Sequence, residues 1–439
     1  MKEGLAAAFA QLGNGAPTLF FVDVSDDHRG AFAHEQPGSG ATDAHHLTGH
    51  AGRRTGDDGD LTLEAHVFLL YFPICRGLYQ SSPGSLALVR LTPSTCDDTI
   101  GRSFSKELPV PRLGVRLEND SRLSVKDLAE LAALAERRGF EYVWVPEGGG
   151  RDALTLLATF ACATSNVKLA TGILPIFHRT PTLTAMSAAG LAGASGNRFI
   201  LGLGTGHEGT TVQTHGVPFA RPVGRMRETV AIARGLLRGE SVTFQGREFS
   251  VQEARLGRAV QGMSVPIYIA ALGPRMVTLS AEVADGVLLN WTAASYLPKA
   301  VQQVHDAARA AGRDSSAVDI AGYVRVAVGP DEAAARKALQ RQIASYASYS
   351  YYRDFFAACG FGAEMEAAEQ AAARGDTDAA AKAITKAMQD EVAVVGTAEH
   401  CRAEIERRRG LGLQLPVVAP FAVDDVKASY IRTINAFGE

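Results

Sequence analysis

The stretch RFILGLGTGHEG (Arg198–Gly209) is an apolar run, rich in β-branched and aromatic residues, that ends in glycines at 202, 204 and 206. Such a run reads as a buried strand that opens onto a ligand. Glycine lets backbone N–H groups approach a flat ring or a phosphate with no side chain between. Two folds can use this motif. In an open doubly wound sheet it would be a dinucleotide loop, but that fingerprint follows the first strand and needs an acidic residue ~20 residues on. Here the run is the fourth strand-like segment from residue 113, and no acidic residue ends the next one. The closed barrel is the better reading.

Outward from this stretch the texture is regular. LGVRLE (Leu113–Glu118), FEYVWVPE (Phe140–Glu147) and VKLATGILPI (Val167–Ile176) precede it as strands. VPIYIAA (Val265–Ala271), GVLLNW (Gly286–Trp291), DIAGYVRVAV (Asp319–Val328) and LPVVAPF (Leu415–Phe421) follow it. Helical periodicity lies between them. Ser124 and Asp127 stand at capping-box spacing, Leu128, Leu131 and Leu134 share a helix face, and Gly139 stops that helix. SVTFQGREFSV reads as a small hairpin about Gly246, and residues 331–390 as one long helical stretch. Eight strands alternating with helices predict an α/β fold with a parallel sheet and right-handed crossovers, closed most economically as a (β/α)8 TIM barrel.

Residues 1–108 differ in texture and are expected to form an N-terminal extension of low order, with the barrel domain over 109–439. Asp26–Asp60 is rich in Gly, Asp and His without an apolar period, which predicts disorder. Pro17–Val24 and Leu61–Pro73 are apolar enough for strands but show no companion. His45, His46 and His50 read as a solvated loop, since no carboxylate or cysteine at ligand spacing organises them into a metal site.

Of the 439 residues, 46% are hydrophobic and 21% charged, with a net charge of −3, so the chain has an ample core and no basic face for nucleic acid. No apolar run approaches a membrane span. Five scattered cysteines without CxxC spacing fit a reducing cytoplasm, which is the expected location.

A barrel carries its chemistry at the C-terminal strand ends. Those ends supply Glu118; Glu147; Thr171, Gly172 and Ile173, running to His178 and Arg179; Gly204, Thr205, Gly206, His207 and Glu208; Gly273, Pro274 and Arg275; Asn290 and Trp291; and Arg325. Gly273-Pro274-Arg275 opens a helix, where free N–H groups and a guanidinium favour a phosphate. A plain helix start would look the same. Glycine-rich rims, an anion site and few strong nucleophiles point to a bound phosphorylated cofactor that carries the hard chemistry.

Four segments, VKLATGILPIFHRTP, SGNRFILGLGTGHE, VPIYIAALGPRMVTLSAEVADGVLLNW and VVGTAEHCRAEIERRRGLGLQLPVVAPF, resemble the luciferase-like monooxygenase family in its deazaflavin-dependent branch. The similarity runs from Leu113 to Gly438. It implies a (β/α)8 barrel, often a homodimer, acting on a small organic molecule with coenzyme F-420 (a deazaflavin) by hydride transfer. The alternative is a monooxygenase using reduced FMN and dioxygen, with a flavin reductase as partner. Position by position, Thr171, Gly172 and Ile173 fall on the family's strand-three bulge, often with a non-prolyl cis peptide. Gly204-Thr205-Gly206 would flank the ring, and Gly273, Pro274 and Arg275 would hold the phosphate.

The proton donor would be His207 or Glu208, then His178 or Glu147, because imidazoles and tuned carboxyls titrate near neutrality. Where deazaflavin dehydrogenases of the family commonly place a His after strand two, this chain has Gly148-Gly149-Gly150, so an alcohol or sugar-phosphate dehydrogenase is not implied. The aromatic set Tyr346, Tyr349, Tyr351, Tyr352, Phe355 and Phe356 reads as core packing before it reads as a substrate wall. A cofactor-free barrel with a binding role is the remaining reading, against which the intact glycine set counts.

Overall fold

The computed structural model describes residues 7–13, 16–22 and 112–438, except 119, 149 and 330. The chain divides into two units, Met1–Ile100 and Gly101–Glu439. In the first, β1 (Ala7–Gly13) pairs antiparallel with β2 (Ala16–Val22), Ala7 facing Val22. The segment starting at Pro17 thus has a companion that its own pattern did not reveal. The stretch Asp26–Asp60 with its histidines, and Leu61–Pro73, lie outside the described residues.

The second unit is a closed parallel barrel. Its strands are β3 (Gly114–Arg116), β4 (Tyr142–Val145), β5 (Lys168–Thr171) with its continuation β6 (Leu174–Pro175), and β7 (Phe199–Gly204). A separate antiparallel pair, β8 (Val242–Gln245) and β9 (Ser250–Ala254), forms the expected hairpin about Gly246. The barrel resumes with β10 (Ile267–Ala270), β11 (Gly286–Asn290) and β12 (Asp319–Val328); β13 (Ala393–Gly396) then pairs with β12 outside the ring, and β14 (Leu415–Pro420) is the last described strand. The ring runs β3-β4-β5-β7-β10-β11-β12-β14 and back to β3, with Ile267 facing Leu201 and Val418 facing Val115.

All six residues of β7 and of β14 are buried. Parallel strands are covered on both faces, which is why they read as continuous apolar runs. Outward side chains such as Val115, Val143, Leu201 and Val287 join the helices in the main core. Inward ones, including Tyr142, Trp144, Tyr268, Leu288 and Tyr323, fill the lumen. At the base, Arg112 donates to both oxygens of Asp319 (3.0 and 2.8 Å), and Tyr268 donates to Asp319 at 2.6 Å.

The helices are α1 (Val125–Arg137), α2 (Ala153–Ala163), α3 (Pro181–Ala194), α4 (Pro222–Leu237), α5 (Pro274–Val283) and α6 (Leu297–Ala310) in the first six units. The Ser124–Asp127 capping box is formed, and Gly139 at φ +76° follows the end of α1. The stretch expected as one long helix is instead divided into α7 (Glu332–Tyr346), α8 (Ser350–Phe356), α9 (Gly362–Ala373), α10 (Thr377–Lys382) and α11 (Lys386–Val392). Gly360 (φ +101°) and Gly375 (φ +75°) sit at two of the breaks. These helices and β13 build a second core with Trp291, Leu339, Phe356 and Met388. Finally α12 (Ala398–Gly410) and α13 (Val426–Phe437) flank β14. Among the described residues, no helix is long and apolar enough to cross a membrane.

Candidate active site

The β5–β7 side of the mouth is an interlock of backbones. The Gly172–Ile173 peptide between β5 and β6 is cis. Thr171, fully buried, donates its hydroxyl to the Gly202 carbonyl (2.9 Å) and accepts from the Gly202 N–H (2.8 Å). Tyr323 donates to the Gly172 carbonyl at 2.9 Å. A Cβ on Gly202 would lie 1.9 Å from the Thr171 carbonyl oxygen, one on Gly172 1.7 Å from Tyr323 Oη, and one on Gly204 2.4 Å from Ile173 Cγ1. These glycines let the strands approach one another. The sequence reads Gly202 and Gly204 as bare for a ligand; in the structure protein atoms fill the space a Cβ would take at both, and the Thr171 hydroxyl is bonded within the same interlock. Gly206 has φ +69°, a turn that favours glycine, and Thr205 donates to its carbonyl at 3.3 Å.

Past β7 the chain turns under α8. His207 is half-buried, its Nδ1 is 2.5 Å from Tyr351 Oη, and its ring stacks on Tyr349 at 4.5 Å. Burial lowers its pKa, so the imidazole is neutral at pH 7. Glu208 is exposed. The aromatic set is therefore divided in role. Tyr352, Phe355 and Phe356 are buried, while Tyr346, Tyr349 and Tyr351 surround His207.

His178 and Glu147 belong to a different group. Glu147 pairs with Arg179 (3.5 Å) and accepts from the Ala153 N–H at the start of α2 (3.3 Å); Arg179 also pairs with Asp152. Burial raises the Glu147 pKa against the pull of Arg179. His178 stacks on His215 at 3.6 Å, with Nε2 3.3 Å from Thr211 Oγ1. Burial, then His215 and Arg179, push its pKa down to about 4. A group that stays neutral until pH 4 is a poor proton donor near neutrality.

At the same end of the barrel, Arg221, Pro222, Val223, Gly224, Glu228, Arg247 and Arg275 line an open cleft of about 490 Å³. It joins the start of α4, the start of α5 and the tip of the β8–β9 hairpin. Glu228 fixes that tip by accepting from the N–H groups of Arg247, Glu248 and Phe249 (2.9, 2.9 and 3.0 Å). Gly273 precedes α5 with no side-chain cap and with open space where a Cβ would be, and Arg275 is exposed. Uncapped N–H groups with the guanidiniums of Arg247 and Arg275, and of Arg221 already paired to Glu248, suit a phosphate and an acidic tail.

Sequence reasoning listed Arg325 and Glu118 only as strand ends and passed over Arg116. All three meet at the head of the lumen. Arg325 is 2% exposed, lies 3.9 Å over the Trp291 ring and donates to Asn290 Oδ1. Because that oxygen faces the guanidinium, the Asn290 amide nitrogen must face Tyr352, whose hydroxyl it meets at 2.7 Å. Arg116 donates to Glu118 at 3.0 Å and lies over Tyr323. The available signal was an arginine inside each of two largely apolar strands, LGVRLE and GYVRVAV.

The luciferase-like monooxygenase family profile matches residues 111–415. The 5,10-methylenetetrahydromethanopterin reductase of Methanolobus tindarius is 33% identical over 313 residues, covering 69% of this chain and 93% of the relative. That of Archaeoglobus fulgidus is 31% identical over 308 residues, covering 69% and 92%. The coenzyme F-420-dependent tetrahydromethanopterin reductase from Methanopyrus kandleri superposes with a TM-score of 0.64 at 25% identity, covering 74% of this chain and 97% of that one. Closed barrel, matched profile and extended similarity agree: the chain belongs to the luciferase-like monooxygenase family of flavin- and deazaflavin-dependent oxidoreductases.

Proposed function

We propose that this protein transfers hydride between coenzyme F-420 and a small organic substrate. The observation that carries the reading is the cationic cleft between the starts of α4 and α5, beside a barrel mouth walled by aromatic rings. Its donor set fits a phosphorylated cofactor with an acidic tail: Arg275, Arg247, Arg221 and the N–H groups opened by Gly273 would hold it. The likeness to an F-420-dependent reductase supports the same cofactor. When bound, the deazaflavin supplies a two-electron hydride donor and acceptor. The Gly172–Ile173 bulge, beside the Thr171–Gly202 bond and held by Tyr323, would form the floor of the cofactor site. His207, neutral and hydrogen-bonded to Tyr351, takes up the proton that a substrate sheds when it gives up hydride, and returns it in the reverse direction.

Titration of the protein with F-420 and with FMN in parallel, read by fluorescence quenching, tests this reading. Saturable binding of F-420 with FMN at least tenfold weaker is expected. Binding of FMN alone would replace the reading with reduced-flavin and oxygen chemistry and a reductase partner. Binding of neither would replace it with the cofactor-free barrel.

We also infer a homodimer through α2 and α3. Neither helix carries a charged residue, and Leu183 and Met186 of α3 are 45% and 53% exposed. An uncharged face of this kind on adjacent helices suits a self-complementary contact. Met186→Glu is expected to convert the dimer to a monomer in sedimentation, and an unchanged sedimentation coefficient would refute the assignment.

A further inference from the structure

The head of the lumen holds more positive charge than its protein partners neutralise. Arg116 and Arg325 come from β3 and β12, the strands on either side of β14, and Glu118 is the carboxylate beside them. Glu118 pairs with Arg116 and not with Arg325, whose only side-chain hydrogen-bond partner among the described residues is the neutral Asn290. Arg116 Nε, Arg325 Nε and Trp291 Nε1 are buried without an acceptor. All three are donors only, so what the site lacks is an acceptor, and a buried cation without a counter-charge is costly. The surrounding surfaces are flat: Trp291 beneath Arg325, Tyr323 beneath Arg116, and Tyr346 against Trp291 at 5.1 Å. Glu118 is the solvent-facing member, its side chain 40% exposed against 11% for Arg116.

We infer that the head of the lumen binds the carboxylate of the substrate, carried on a flat conjugated skeleton, and that this carboxylate takes the place of Glu118 beside Arg116 and Arg325. Arg325 is the specificity-determining residue. Its bond to Asn290, and through it to Tyr352, fixes the guanidinium on one side and leaves its buried Nε without an acceptor. The inference rests on the reading of the barrel mouth as the substrate site, and it adds the class of substrate.

The test uses the full chain, with benzoate as probe and benzamide as its uncharged isostere. The chain's two tryptophans, Trp144 and Trp291, both lie along the lumen or its head, so their fluorescence reports the site, and calorimetry supplies a second readout. Benzoate is expected to bind saturably, with benzamide at least tenfold weaker. Arg325→Met, with native circular dichroism, is expected to weaken benzoate at least tenfold. Glu118→Gln is expected to tighten it severalfold, because the competing carboxylate is gone, and this arm stands even if the arginine variant does not fold. Equal binding of benzoate and benzamide, or an unchanged or weaker benzoate affinity in Glu118→Gln, overturns the inference. F-420 is titrated in parallel. If F-420 binds and benzoate shows no charge preference, the substrate class fails alone. If neither binds, the function it rests on fails too.

Discussion

On the β5–β7 side of the mouth the backbone does the shaping. Gly172, Gly202 and Gly204 have no side chains, and the space this leaves is filled by Tyr323, the Thr171 carbonyl and Ile173. On the β12 side, side chains do the shaping: Tyr346, Tyr349, Tyr351 and Tyr352 on α7, α8 and their connection close over His207 and Arg325. The first side has no freedom to vary without breaking the barrel. The second can change residue by residue while the barrel stands. On the proposed function, a site assembled this way would separate the task of seating a cofactor ring from the task of choosing a substrate.

The sharpest way to break the comparison is on the rigid side. Gly202→Val places a Cβ 1.9 Å from a buried backbone oxygen, so a strand must move. Overpacking costs about 1–3 kcal/mol, and more where backbone is displaced; a loss of at least about 3 kcal/mol in urea unfolding is expected. An unchanged midpoint would show that the interlock is not rigid. On the other side, His207→Ala should leave the fold and F-420 affinity intact and lower turnover, followed at the deazaflavin absorbance, by about a hundredfold, the lower end of general acid–base contributions. Unchanged turnover would remove His207 from the proton path. Tyr351→Phe removes one neutral hydrogen bond from the same imidazole and should cost about fivefold, the equivalent of ~1 kcal/mol. A loss as large as that of His207→Ala would make Tyr351 itself the group that meets the substrate.

These two sides also differ in how far the sequence revealed them. The eight barrel strands were legible because each is an apolar run bounded by glycine or polar residues. Strand β13 was not, because four residues, AVVG, following a helix carry no periodicity of their own; it exists because β12 outlasts β11 and needs a neighbour from Arg325 to Val328. The glycines of the cradle were visible as glycines, yet their partners were not, since Tyr323 and Gly172 are 151 residues apart. The pairing of His207 with Tyr351 spans 144 residues and depends on how α8 lies over the mouth, which no local pattern encodes. Grouping His178 and Glu147 with His207 followed from their shared position at strand ends. The ion pairs of Arg179 set Glu147 apart, and the stack on His215 sets His178 apart.

That separation yields the smallest expected effect. His178 follows β6 on the rigid side, and its folded pKa of about 4 lies below the ordinary value of 6.5. The unfolded chain therefore takes up a proton first as pH falls. The neutral ring's contribution to stability is complete above pH 6.5 and is lost progressively as the pH drops from 6.5 to 4. His178 is only half-buried, so solvent screening reduces the effect to about 1 kcal/mol. His178→Phe keeps a ring against His215 and removes the titration. Its melting temperature should fall less steeply than that of the parent between pH 6.5 and 4, with turnover at pH 7 unchanged. A loss of turnover comparable to that of His207→Ala would place His178 in the chemistry and erase the distinction between a side of the mouth that holds the ring and a side that moves the proton.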